Sequence, residues 1–203
     1  MKRTLLALAA LAFSAQAFSA TVAPVSYDFS EPTACGSWCY HDAARTKLTD
    51  GIVGNAGWAV NQGQEWAGWV YQNAVNVDFA FNGNQHINSV SIGSTQDSLG
   101  DVALPSFSVF AKEGGNWVLK ATLDNPASSG NDHSPWDNGS HPFYTLDNLN
   151  IYSNEVLVTA TAHGPWIFMD EVRFTSAVPE PETYGMMLAG LGALGFIARR
   201  RKK

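Results

Sequence analysis

An all-β fold, an antiparallel β-sandwich of jelly-roll type, is the class predicted for the middle of this 203-residue chain, and three observations predict it. Apolar and polar residues alternate with period two in several short runs, the signature of strands with one buried face. Clusters of Gly, Asn and Pro punctuate those runs as turns. Between the two terminal segments, no window shows a convincing 3.6-residue period.

The N-terminal element is not part of that fold. Lys2 and Arg3 precede an apolar stretch from Leu5 to Phe13 and then Ala15-Gln16-Ala17, the charged start, greasy core and small-residue site of a secretory signal peptide. Residues 1–17 are expected to be removed; an alternative cut after Ala20 would put Phe18 where a small side chain is preferred. One domain is expected over 21–176, long enough to bury a real core. Residues 18–177 hold five Lys and Arg against sixteen Asp and Glu. Such a surface repels phosphate backbones, which excludes nucleic acid as a natural partner and suits cations or neutral sugars.

In chain order, Cys35 and Cys39 come first, in "ACGSWCYH". Export places them in an oxidising compartment, so a small local disulfide is expected, with a metal site using Cys35, Cys39 and His41 as the lesser alternative. "LTDG" is a turn in which Asp50 caps its own backbone and Gly51 takes positive φ. Trp58, Trp66 and Trp69 lie in the Gly-rich "GWAVNQGQEWAGWVY" leading into a strand, where one or two rings are expected to be exposed. Val75, Val77, Phe79 and Phe81 alternate with polar neighbours as a strand, and "NGNQ" is expected to turn it. Trp117, Leu119, Ala121 and Leu123 alternate after the turn "EGGN", with Trp117 expected in the core. A long polar loop, "DNPASSGNDHSPWDNGSHP", surrounds Trp136 with Asp132, His133, Asp137 and Asn138. Val156, Val158 and Ala160 form the next strand, "HGP" the next turn. Trp166, Phe168, Asp170, Val172 and Phe174 then read as one further strand with Trp166 inside.

Four of these segments, "KLTDGIVGN", "VNVDFAFNGNQHINSVSIG", "LPSFSVFAKEGGNWVL" and "PWIFMDEVRF", stand in the order and rough spacing of galactose-binding-like domains, the discoidin or coagulation-factor C-type jelly rolls. The resemblance covers Tyr27 to Thr175, while the polar loop is an expansion. It implies a structural Ca²⁺ between the loop after the first strand and a glutamate on the last, positions that map to Asp50 and Glu171. Ca²⁺ takes six to eight hard oxygen ligands, and Asn55 can add an amide oxygen. The plain alternative pairs Glu171 with Arg45 or Arg173 and leaves Asp50 to its turn.

An exposed indole beside amides and carboxylates packs on a pyranose face while the polar groups meet its hydroxyls. Trp136, Trp58 and Trp66, with Asp132 and Asn138, are therefore the expected sugar-binding residues. Against this stands the tendency of large rings to be buried, here by plugging the open end of a sandwich. No G-x-S-x-G elbow, H-E-x-x-H or P-loop occurs, and no enzyme is expected; an exported glycoside hydrolase, whose two carboxylates can come from any two strands, is the distant alternative. Gly190 to Gly195 spells G-x-G-x-x-G, but no strand precedes it and no βαβ unit has room to follow.

The last element has three parts: Pro179-Glu180-Pro181, the apolar run Tyr184 to Ala198 and the basic Arg199 to Lys203. The run's fifteen residues make about 22 Å of helix, short of the roughly twenty residues a permanent span needs. In order, spacing and position, residues 178–203 closely resemble the PEP-CTERM sorting signal of Gram-negative, exopolysaccharide-producing bacteria. In some members this tail has been labelled an ice-binding-protein C-terminal domain, a label that says nothing of ice. The resemblance implies an exosortase, a membrane-embedded cysteine transpeptidase, as partner and cleavage near the Pro-Glu-Pro. The five cations hold the C-terminus on the cytoplasmic side, and the prolines keep the cleavage site extended. An ordinary tail anchor is the alternative. The expected function is an exported surface or matrix protein that binds polysaccharide, with transient inner-membrane residence. A structural or adhesive matrix component is the alternative.

Overall fold

The computed structural model describes residues 20–127 and 132–176, together with Gly185, Ala189 and Gly190, which are helical. The expected signal peptide, the Pro179-Glu180-Pro181 motif, the basic tail and most of the apolar run lie outside the described residues. Among those described, no helix is long and apolar enough to cross a membrane.

Residues 20–176 form one compact unit, an all-β sandwich as expected. A four-stranded sheet has the order β1 (Ala20–Val22), β13 (Val172–Ser176), β5 (Ser89–Gly93), β10 (Phe143–Leu146). A five-stranded sheet faces it, in the order β2 (Ser26–Phe29), β4 (Ala74–Ile87), β11 (Ile151–Thr161), β7 (Ser106–Glu113), β8 (Asn116–Leu123). Every pairing in both sheets is antiparallel. Two small pairs serve the loops: β12 (Trp166–Met169) with β3 (Ala67–Val70), and β6 (Gln96–Asp97) with β9 (Asp132–His133).

Period-two alternation is what buries the core. Val75, Val77, Phe79 and Phe81 of β4 and Val156, Val158 and Ala160 of β11 are all buried. They meet Val90 and Ile92 of β5 and Phe174 of β13, whose ring stands edge-on to Phe79 and Phe81 at 4.9 and 5.1 Å. Removing such side chains from water is the main stabilising term.

Three expectations are corrected. "NGNQ" does not end its strand: β4 runs through it, and the register opposite β11 slips between Ser153 and Glu155. Asn82, Gly83 and Asn84 stand out as an exposed bulge, with Gly83 at φ +73°. Trp117 is not core but 37% exposed, because β8 is an edge strand with few partners on either face. The run from Trp166 to Phe174 is two strands: at Asp170 and Glu171 the chain leaves β3 and joins β5 instead. By contrast "EGGN" forms the expected tight hairpin, with Gly114 and Gly115 at φ +56° and +84°, both residues left-handed as a type I′ turn demands.

The register also sorts the molecule's two ends. Ala20 pairs with Ser176 and Ser89 with Thr175, so both chain ends leave from one end of the sandwich. At the other, Ala74 pairs with Thr161 and Thr161 with Ser106, and there the long connections gather.

Candidate functional site

A second cluster of buried side chains, Tyr40, Trp66, Val102 and Phe168, sits under those connections, with Trp38, Trp58 and Trp166 packed against it half-buried. Phe168 stacks nearly parallel to both Trp58 and Trp166, at 6.1 and 5.3 Å, and Tyr40 meets Phe168 and Trp166 edge-on. Over these rings opens a groove of about 250 Å³, almost wholly apolar, lined by Gly36, Ser37, Trp38, Tyr40, Trp58 and Trp166. Trp136 stands at 5.3 Å from Trp38, edge-on, and is 64% exposed.

Each ring is held by identifiable local chemistry. Cys35 and Cys39 form the expected disulfide, and Gly36 N–H donates to the Trp38 carbonyl across the small loop it closes. Trp58 Nε1 donates to Asp97 Oδ2 at 2.8 Å, while Asp97 Oδ1 accepts the backbone N–H groups of Leu99, Asp101 and Val102. One buried carboxylate thus organises a loop and orients an indole. The segment carrying Trp136 is laced to residues 55–59: Ala56 N–H donates to Gly139 O, Gly57 N–H to Asp137 O and Ala59 N–H to Pro135 O. A Cβ on Gly57 would come within 2.3 Å of the Pro135 oxygen, so the two segments touch only because that residue is glycine.

Of the residues expected to bind sugar, the structure brings Trp136 and Trp58 together through Trp38. Trp66 is corrected: it is fully buried, so neither ring face is offered to solvent. Asp132 and Asn138 are exposed in the Trp136 segment, where His133 Nδ1 and Asp137 Oδ2 pair at 3.0 Å. Trp38 and Trp166 were missed as groove residues. The signal for Trp38 was its place between two cysteines, which holds a ring at the surface; Trp166 reads as core from its alternation alone.

The calcium residues are only partly assembled. Glu171 is buried, and its Oε2 accepts Gly51 N–H at 3.0 Å. Asp50 Oδ1 accepts Ile52 N–H, the expected turn, with Gly51 at φ +81°. Asn55 bridges Ser140 by its backbone instead. Of the alternative partners, Arg45 pairs with Asp28, and Arg173 reaches Glu171 only at 3.9 Å. Burial, chiefly, with the nearby Asp50 and Asp170 charges, raises the Glu171 carboxyl to about 7 despite Gly51 and Arg173. Among the described residues no group of three or more His, Cys, Asp or Glu has metal-holding spacing.

Next to Glu171 lies a pair that pattern reading missed altogether. His141 Nε2 and Asp170 Oδ2 are 2.5 Å apart and both side chains are wholly buried. Asp170 Oδ2 also accepts Gly54 N–H at 2.6 Å, while Oδ1 has no partner. Burial opposes charge on His141, but the Asp170 hydrogen bond and charge outweigh it and raise the imidazole above its ordinary value.

The sequence model of the PEP-CTERM protein-sorting motif matches residues 177–202. The chain therefore carries a signal for export and exosortase-mediated sorting to the bacterial cell surface. No curated protein matches the chain in sequence. Among solved structures, a truncated AlyQ with CBM32 and alginate lyase domains superposes with a TM-score of 0.54 at 13% identity, over 81% of this chain and 35% of that one. The chain thus spans about a third of that protein's length. A mutant lectin-binding domain of lectinolysin complexed with Lewis b gives 0.53 at 11% identity, over 80% of this chain and all of that one. The C-terminal domain of a chitobiase from Bacteroides fragilis gives 0.52 at 10%, over 79% and all of that chain. The fold of residues 20–176 is that of the galactose-binding-like β-sandwiches.

Proposed function

We propose that this chain is an exported bacterial surface or matrix protein whose β-sandwich binds polysaccharide at the aromatic end. The observation that carries it is Trp136: a large ring held exposed, edge-on to Trp38, which itself lines the apolar groove. An exposed apolar ring fixed by backbone hydrogen bonds is poised for the apolar face of a sugar ring and loses little entropy on binding. The lectinolysin domain complexed with Lewis b has a similar fold and agrees with this reading. Binding of the full-length chain to glycan arrays and to the source bacterium's exopolysaccharide tests it. Trp136→Ala is expected to weaken binding at least tenfold while Tm stays within about a degree; unchanged binding would overturn the assignment.

The sorting signal supports an address to match: the tail is held transiently in the inner membrane of a Gram-negative cell until exosortase cuts near Pro179–Pro181. Residues 1–17 act as the signal peptide.

A structural Ca²⁺ held by Asp50 and Glu171 is part of this reading; what supports it is the Asp50 charge acting on the buried Glu171 carboxyl, although one oxygen of each already accepts a backbone N–H. A buried carboxylate whose nearest cation stands 3.9 Å away is under-compensated, and hard oxygens are what Ca²⁺ takes. The ion would staple the 48–55 loop and has no part in chemistry. An adhesive role without a discrete pocket is the second reading, favoured by the edge strand β8, which exposes Trp117, Val118 and Leu119. A flat glycan array together with self-association would select it.

A further inference from the structure

A second cleft, of about 280 Å³, is walled on one side by the 94–105 loop. It is lined by Gln96, Ala103, Leu104, Asn125, Pro126 and His163 and is mostly polar where the groove is apolar. Behind it Ser106, buried at the start of β7, lies 2.9 Å from Asp124 Oδ1 and 3.0 Å from His163 Nε2, and accepts Asn125 N–H at 2.8 Å.

Counting protons settles who donates. A serine hydroxyl has one proton and two lone pairs, and a carboxylate has no proton to give. The Ser106 proton therefore goes to Asp124, and its lone pairs receive Asn125 N–H and His163 Nε2–H. Neutral His163 then keeps an unprotonated Nδ1. Among the described residues that atom has no protein donor, and the side-chain amides of Gln96 and Asn125 have no protein hydrogen bond. An exposed imidazole is thus held at one nitrogen by a serine that two other groups orient, at the entropic cost of ordering it and with no core burial in return.

That set of atoms selects a ligand class. A lone imidazole acceptor beside two amides matches hydroxyl groups, which both donate and accept. No cationic side chain lines the cleft to hold an anion, and Asp124 stands behind it. A single imidazole does not make a metal site. Position adds the rest: His163 is three residues from Trp166, at most ~11 Å of chain. Val102 bridges Trp166, Ala103 and Leu104 wall the cleft, and Gln96 adjoins the Asp97 that holds Trp58. One short loop backs both cavities.

We infer that the polar cleft is a second sugar subsite and that groove and cleft take different residues of one polysaccharide chain. The unit recognised is then an oligosaccharide and not a single terminal sugar; this rests on the polysaccharide reading above.

The test uses the full-length chain and the source bacterium's exopolysaccharide, partially hydrolysed and separated by size, with calorimetric titration of each fraction. Affinity should climb with fragment length. His163→Ala and Asn125→Gly should each lower affinity for the longest fragments at least tenfold and flatten that climb. Asn125→Gly removes the amide, keeps the backbone N–H to Ser106 and suits the left-handed φ of +43° at that position, and so separates recognition from folding. In ¹⁵N-labelled protein the His163 Nδ1 resonance should sit at an unprotonated position and move when long fragments bind. If both variants keep the wild-type length dependence, or Nδ1 does not move in a formed complex, the subsite is wrong while polysaccharide binding stands. Equal affinity for the single sugar and for long fragments also overturns it. If no fraction binds the folded chain, the polysaccharide reading fails and the subsite with it.

Discussion

Glu171 carries a proton in the folded chain over a pH range in which the unfolded chain has lost it. Burial raises its carboxyl from the ordinary 4.5 to about 7. A raised folded value means that the stabilisation is complete below pH 4.5 and is lost as pH rises through about 7. Thermal unfolding followed between those limits should show Tm of the wild type falling with pH and that of Glu171→Gln falling less. Each kcal/mol is worth roughly 2–4 °C for a chain of this size. Millimolar Ca²⁺ should restore the wild type near pH 7 but not Glu171→Gln; equal slopes in both proteins would remove Glu171 as the titrating group. His141 has the same sign for a different reason, since its cationic form is the one held. Asp170→Ala would strand that imidazole without its counter-charge, at an expected cost of roughly 3–5 kcal/mol in urea unfolding. A change under 1 kcal/mol would show that the pair does not brace this end.

At the scale of elements, the Trp136 segment is only as well placed as its contact with residues 55–59. Gly57→Ala inserts a methyl within 2.3 Å of Pro135 O and 2.5 Å of Asp137 N, so the segment must move away. Overpacking of this kind costs about 1–3 kcal/mol. Polysaccharide binding should fall nearly as far as in Trp136→Ala, although the indole remains, and wild-type binding would show that its position does not matter. The strands themselves were legible where one face is closed by the opposite sheet, as in β4 and β11. Alternation could not show that β8 lacks a neighbour, because Trp117 and Leu119 have the same spacing whether or not a sheet covers them. Nor could it show the break at Asp170, where the side chain meets His141, 29 residues away in sequence. For the site, Trp136 was legible as an indole among polar loop residues. Trp66, Trp38 and Trp166 were not, since a ring at the open end of a sandwich is buried or exposed according to loops that meet only in three dimensions. The Ser106, Asp124 and His163 cluster joins three separate segments and left no local pattern at all.

For the whole molecule, the tail was the most legible part, because a sorting signal is read by another protein directly from linear order. Exported protein analysed by mass spectrometry should end near Pro179–Pro181; surface-located chains still ending at Lys203 would contradict processing. Ser176 is the last described residue before that tail, on the end of the sandwich away from the groove and cleft. Tension between a captured polymer and whatever holds the C-terminus would run lengthwise through β13. That strand is bonded to β1 on one side and β5 on the other, so its hydrogen bonds would be loaded together in shear and not peeled one at a time. A strand bonded on both sides in this way resists a lengthwise pull with all its hydrogen bonds at once.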